Sequence, residues 1–130
     1  MRQRVADARV GRLATVDADG APHLVPCCFV LDGDTLYSAV DSKPKSTRAL
    51  RRLANVRANP HASLLVDFYD EDWNALWWVR VDARARIVDA GTDEFAHACA
   101  QLEVKYEQYR REPPAGPALA LDVVQWRAWP

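Results

Sequence analysis

Hydrophobic and polar positions along this chain switch period several times, and each switch predicts an element. Residues 1–9 can form a short helix, with Val5 and Ala8 as its only apolar contacts. Val10 to Val16 reads as a strand and runs into Asp17-Ala18-Asp19-Gly20, a tight turn that uses the conformational freedom of glycine. His23 to Leu31 is mostly apolar, the pattern of a strand buried on both faces. Pro22 and Pro26 cannot donate to a ladder and place that strand at an edge or a bulge. A second turn, Asp32-Gly33-Asp34, leads into a strand over Thr35 to Val40.

The meander then breaks. Residues 41–45 form a loop, and Ser46 is a candidate N-cap for a helix over Ser46 to Ala58. Asn59-Pro60 ends it, because a residue preceding proline avoids the helical region. Ala62 to Tyr69 is another strand. In Leu76 to Val88, the residues Trp77, Val79, Val81, Ala83, Ala85 and Ile87 alternate with Trp78, Arg80, Asp82, Arg84 and Arg86. That is a long half-buried strand. Thr92 to Arg111 has helical spacing, with Phe95, Cys99, Leu102, Tyr106 and Tyr109 on one side. A stiff Pro113–Pro117 connector precedes a last strand, Ala118 to Trp126. Six strands with inserted helices predict a mainly β fold, a small antiparallel barrel, as one domain over residues 1–130.

Charge changes this picture more than composition does. The 130 residues carry a net charge of −1, but from Ser42 to Val66 there is one acidic-free stretch with six cations: Lys43, Lys45, Arg48, Arg51, Arg52 and Arg57. A basic island on an acidic background attracts small anions, and the global balance argues against a nucleic-acid coat. No apolar run approaches the roughly 20 residues that span a bilayer. With no apolar leader at the start of the chain, the expectation is a cytoplasmic protein without a membrane partner. Three cysteines, two of them adjacent (Cys27, Cys28), do not make a disulfide framework.

Familiar catalytic arrangements are missing from the sequence. His23, His61 and His97 fall on different predicted elements, and no G-x-S-x-G elbow is present. His23-x3-Cys27 with Cys28 is a weak zinc pattern with no second pair, and neighbouring strand positions face opposite ways. No metal is expected. What stands out is the loop opening the first long helix. Helix-start N–H groups, the Ser46 and Thr47 hydroxyls, and the cations Lys43, Lys45, Arg48 and Arg52 together make an anion site, which Pro44 stiffens. A phosphate pocket without a strong catalytic side chain is the pattern of an enzyme whose cofactor performs the chemistry.

At these residues the chain resembles a known family. GRLATVDADGAPHLVPCCFVLDGDTLY is similar to the opening of pyridoxamine-5′-phosphate-oxidase-like split β-barrel proteins. KPKSTRALRRLANVRANPHASLLVDFYDEDWNALWWVRV and the closing ALALDVVQWRAW resemble one branch, the small deazaflavin (coenzyme F-420)-dependent oxidoreductases. The resemblance implies a six-stranded split-barrel homodimer with cofactor sites at the subunit interface. It implies a reductase that passes hydride from reduced coenzyme F-420 to a small, electron-poor organic molecule. An FMN-dependent oxidoreductase and a non-catalytic flavin or deazaflavin carrier are the alternatives. By the same resemblance, Lys43, Lys45, Ser46, Thr47, Arg48 and Arg52 would hold the cofactor phosphate. Val25, Pro26 and Cys27 would run beside its ring, and Trp77 or Trp78 would approach it near the interface. The spacing from Lys45 to Pro60 exceeds that of FMN-using members, which favours the deazaflavin.

Overall fold

The computed structural model describes residues 1–40 and 47–130, with residues 47–50 described as helix backbone only. Among the described residues there are seven strands: β1 (Gly11–Val16), β2 (Pro22–Cys27), β3 (Val30–Asp32), β4 (Thr35–Ala39), β5 (His61–Phe68), β6 (Trp77–Val88) and β7 (Ala118–Trp129). They form one antiparallel sheet in the order β2-β1-β5-β6-β7-β4-β3. Its two edge strands, β2 and β3, are consecutive in the chain and separated by only Cys28 and Phe29. The sheet therefore curls until its edges approach, which makes a split barrel. A register shift at Asp82/Ala83 opposite Gln125/Val123 adds bend where the two longest strands pair.

Alternation fills the barrel. Leu13, Val25, Cys27, Leu36, Leu64, Val66, Val79, Val81, Leu119 and Leu121 form the inner core. Helix α1 (Arg2–Asp7) adds Val5, and α2 (Thr47–Ala58) adds Leu53 and Val56. The one amide that α2 buries, Asn55, donates to Thr15 Oγ1 at 3.1 Å. A smaller second core lies on the outer face of β4, β6 and β7. There Tyr37, Ala39, Val88, Ala118 and Ala120 meet Ala98, Leu102 and Tyr106. Helix α3 (Asp93–Lys105) covers it, and Thr92 Oγ1 caps that helix by accepting from the Phe95 N–H at 3.1 Å. Both early turns form as the sequence requires. Gly20 has φ +85° and Gly33 φ +60°, and the Asp17 carboxylate takes the N–H groups of Asp19 and Ala21.

Four expectations are corrected. The predicted strand His23 to Leu31 divides into β2 and β3, so the barrel has seven strands and not six. At the break Phe29 turns inward and is 1% exposed. Side chains satisfy its backbone: its N–H donates to Tyr106 Oη at 3.0 Å, and its carbonyl accepts from Lys105 Nζ at 2.8 Å. Nor is that strand buried on both faces. β2 is an edge strand, and Leu24, on its outer side, is 67% exposed. Finally, the helix predicted over Thr92 to Arg111 breaks at Tyr106 (φ −117°, ψ 117°), giving α3 and α4 (Glu107–Arg111). The break lets the Tyr106 ring stay buried while its hydroxyl reaches Phe29. The last strand also runs three residues further than its pattern predicted, to Trp129.

Candidate functional site

Where β2 and β4 end, the barrel leaves a cavity of about 380 Å³. One wall is made of Pro26, Cys27 and Cys28 from the end of β2, Ala39 and Val40 from the end of β4, and Arg52 from α2. The rest of the lining comes from α4 and its flanks: Tyr106, Gln108, Tyr109, Glu112 and Pro114.

The walls are held by polar anchors. Ser38 Oγ donates to the Cys28 carbonyl at 2.8 Å and fixes the turn between β2 and β3. Tyr106 Oη lies 3.0 Å from the Phe29 N–H and 3.0 Å from the Arg9 carbonyl, so the ring has no freedom to swing. Its phenol is pushed up to about 12, chiefly by burial, and stays neutral. The Tyr109 ring meets it edge-on at 5.7 Å. Burial also raises the Cys27 thiol above its ordinary value, against opposing effects of Ser38 and Arg52. Cys27 is thus an inert wall residue at neutral pH. Behind the wall, Lys105 is lowered to about 8, first by burial and then by the neighbouring Arg9. Its ammonium lies 4.1 Å from the centre of the Phe29 ring.

Arg52 is the distinctive group. Its Nε is buried and has no hydrogen-bond partner among the described residues. The side chain as a whole is only partly buried, and a partly desolvated guanidinium is stabilised by an anion within hydrogen-bond distance. The donor set therefore fits a phosphorylated cofactor.

The sequence-derived candidates fall into three groups. Pro26, Cys27 and Arg52 meet in this cavity. Val25 points into the inner core and is not on the cavity wall. Thr47 and Arg48 open α2, but their side chains lie outside the described residues, as do Lys43, Lys45 and Ser46 altogether. Trp77 and Trp78 lie elsewhere, in a second hollow with Phe68, Tyr69, Leu76 and Trp129. There Trp77 stacks on Phe68 at 6.4 Å and carries the Arg4 guanidinium 4.6 Å from its ring centre.

Sequence reasoning missed the entire α4 wall. Tyr106 and Tyr109 matched helical spacing and were assigned to a buried helix face. Only the double proline that follows marks the wall as a place where the chain must turn. The histidines stay apart: His97 pairs with Asp32 at 2.6 Å, His61 is exposed, and His23 Nδ1 is buried without a partner among the described residues. Among those residues no cluster of three metal-ligating side chains occurs.

The sequence profile of the pyridoxamine 5′-phosphate oxidase family matches residues 1–130. The chain belongs to this family. No sequence match is found among curated proteins. Solved structures share the family fold at low identity. The heme storage protein HutZ of Vibrio cholerae superposes with a TM-score of 0.77 at 18% identity, over 98% of this chain and 89% of that one. An FAD-binding protein of Mesorhizobium loti gives 0.75 at 20% identity, over 98% and 89%. A heme-binding protein of Mycobacterium smegmatis gives 0.75 at 22% identity, over 98% of this chain but 51% of its own length. Among the described residues no helix is long and apolar enough to cross a membrane.

Proposed function

We propose that this family member is an oxidoreductase that holds coenzyme F-420 in the Arg52 cavity and reduces a small electron-poor organic acceptor. The observation that carries the reading is Arg52 Nε, buried without a hydrogen-bond partner among the described residues, on a wall shared with Pro26 and Cys27. The helix bearing Arg52 continues the basic run Lys43, Lys45, Arg48, which suits a cofactor with a charged tail. When bound, the deazaflavin supplies hydride chemistry; the chain's own residues bind, orient and keep the face dry. Arg52, with Lys43, Lys45, Ser46, Thr47 and Arg48, would hold the phosphate end. Pro26 and Cys27 would offer the ring a flat uncharged surface, and the anchored Tyr106 would close the far side. No side chain need act as an acid, since water can supply the proton.

Oxidoreductases are the family's namesake, and its fold accommodates a flavin in the Mesorhizobium protein. A homodimer fits the exposed apolar side chains Leu24, Phe68, Tyr69, Trp73 and Trp129. Three unpaired cysteines fit a reducing cytoplasm. A second reading, a non-catalytic carrier, draws support from the Vibrio storage protein on the same fold. Anaerobic mixing of the cofactor-loaded protein with a panel of quinones and conjugated carbonyls separates the two. Recovery of the oxidised cofactor's colour and fluorescence at protein-dependent rates supports the reductase; tight binding with no turnover of any acceptor supports the carrier. FMN that copurifies and is retained in place of F-420 would move the protein to the FMN-using branch.

A further inference from the structure

Helix α4 lines the cavity yet buries no side chain of its own. Its ring, Tyr109, is partly buried against the outer core. Its arginines bind back onto the same arm: Arg110 donates to the carbonyls of Glu103 at 2.7 Å and Val104 at 3.2 Å, and Arg111 pairs with Glu107 at 2.8 Å. The joint just before α4 ties it to the barrel. There Tyr106 Oη takes the Phe29 N–H and reaches the Arg9 carbonyl, each at 3.0 Å. Lys105 Nζ donates to the Phe29 carbonyl at 2.8 Å, and Arg9 Nη2 donates to the Lys105 carbonyl at 2.9 Å. These bonds bring two cations onto one ring. The Arg9 guanidinium lies 4.8 Å and the Lys105 ammonium 5.3 Å from the centre of Tyr106. Among the described residues neither cation forms an ion pair. Asp7, whose carboxylate accepts from Gln3 at 2.8 Å, acts on Lys105 more weakly than Arg9 does.

We propose that this joint is a proton-operated latch on the cavity: the α4 lining opens readily while Lys105 and Arg9 are both charged on the Tyr106 ring, and closes when Lys105 is neutral. The neutral amine keeps its bond to the Phe29 carbonyl and loses the repulsion from Arg9. A segment with so little buried surface can open without unfolding the barrel. In the closed joint Lys105 is lowered to about 8, first by burial and then by Arg9. Opening returns the amine to water and toward its ordinary value. Between about pH 8 and pH 10 the open form therefore holds a proton that the closed form has lost, and opening becomes rarer as pH rises. The other groups facing Lys105 are Asp7 from α1 and Cys27 and Cys28 at the end of β2. Burial raises Cys27, and Tyr106, at about 12, stays neutral across the window. The latch does not depend on what the cavity holds, so it stands apart from the cofactor reading.

Amide hydrogen exchange between pH 7.5 and pH 9.5 tests the latch, with each rate divided into that of an unstructured peptide. The parent is the full chain carrying Cys28→Ser, which removes the exposed thiol from the titration. The Tyr109 and Glu112 amides, bonded to the Tyr106 and Gln108 carbonyls, report α4, and the amides of β6 report global unfolding. The α4 amides are expected to be on the order of tenfold less protected than those of β6, and their protection to rise about tenfold across the window. Lys105→Met should abolish the rise. Arg9→Gln, which keeps a donor for the Lys105 carbonyl and removes the charge, should reduce it. It also carries the test if Lys105→Met fails to fold. Protection of α4 equal to that of β6 would overturn the proposal, because the lining would then open only with the whole barrel. So would flat α4 protection in the parent, a rise that survives Lys105→Met, or an undiminished rise in Arg9→Gln.

Discussion

Two hollows of equal volume, about 380 Å³ each, lie on this barrel, and their chemistry differs. Among the described residues, the first holds a buried arginine nitrogen without a hydrogen-bond partner and a tyrosine pinned through its hydroxyl. The second is walled by Phe68, Tyr69, Leu76, Trp77, Trp78 and Trp129, and its one carboxylate, Asp67, lies 3.4 Å from Arg12. Size does not tell a ligand site from a contact surface. An uncompensated buried polar group on the wall of the hollow does, because the folded state carries its desolvation cost until a ligand relieves it. The aromatic hollow has no such debt. Large rings with half-exposed faces are what a subunit interface buries at its centre.

Substitutions can break this contrast, and Tyr106 should show the largest effect. Tyr106→Ala removes a ring that is 8% exposed and also strips the Phe29 N–H of its acceptor. A loss of about 3–5 kcal/mol in urea unfolding is expected. Tyr106→Phe keeps the ring and should cost about 1–2 kcal/mol for the orphaned backbone group. If the two variants are equally stable, the hydroxyl does not hold the wall.

Next in size is the anion pole. Arg52→Ala should weaken F-420 binding by about ten- to a hundredfold while leaving the melting temperature nearly unchanged, since a charged hydrogen bond to ligand is lost and no internal one. Lys43→Ala with Lys45→Ala should act in the same direction, because exposed charges contribute little to folding. Fluorescence titration reads both, and unchanged affinity in both would remove the phosphate assignment.

On the other hollow, Trp77 is only half-buried. Trp77→Ala should therefore cost about 2 kcal/mol, less than the 3–5 of a fully buried ring. It should leave F-420 affinity in the isolated chain unaltered and shift the dimer–monomer balance in sedimentation. A lowered cofactor affinity at fixed dimer content would show that the second hollow belongs to the site.

The smallest effect is a pH slope behind the first hollow. Burial holds Lys105 at about 8 in the folded protein, below its ordinary value. Between about pH 8 and pH 10 the unfolded chain then binds more protons than the folded one, so this lysine makes stability rise with pH. The urea midpoint should climb across that window in wild type, and the climb should vanish in Lys105→Met.

Much of the barrel was legible because alternation is a local signal. Val79, Val81, Ala83 and Ala85 are buried where the pattern of β6 put them, and Pro22 and Pro26 do mark an edge strand. The β2–β3 break was not legible. It depends on Tyr106 and Lys105, more than 70 positions away, completing the backbone hydrogen bonds of Phe29. The site divides along the same line. Arg52 stood out as part of a charge run and proved to sit on the cavity with Pro26 and Cys27. Gln108 and Glu112 carried no signal in the sequence, and the chain reaches the cavity there only after the break at Tyr106. Trp77 and Trp78 were read through the resemblance as residues near a subunit interface, one of them facing the cofactor, and in the single chain they line the aromatic hollow.

The most direct measurement is a fluorescence titration of apo-protein with F-420 and, side by side, with FMN, at low and high salt and in both wild type and Arg52→Ala. Tight, salt-sensitive F-420 binding that Arg52→Ala abolishes, with weaker FMN binding, is the predicted result. Binding of neither cofactor, or binding indifferent to Arg52 and to salt, would contradict the assignment of the cavity.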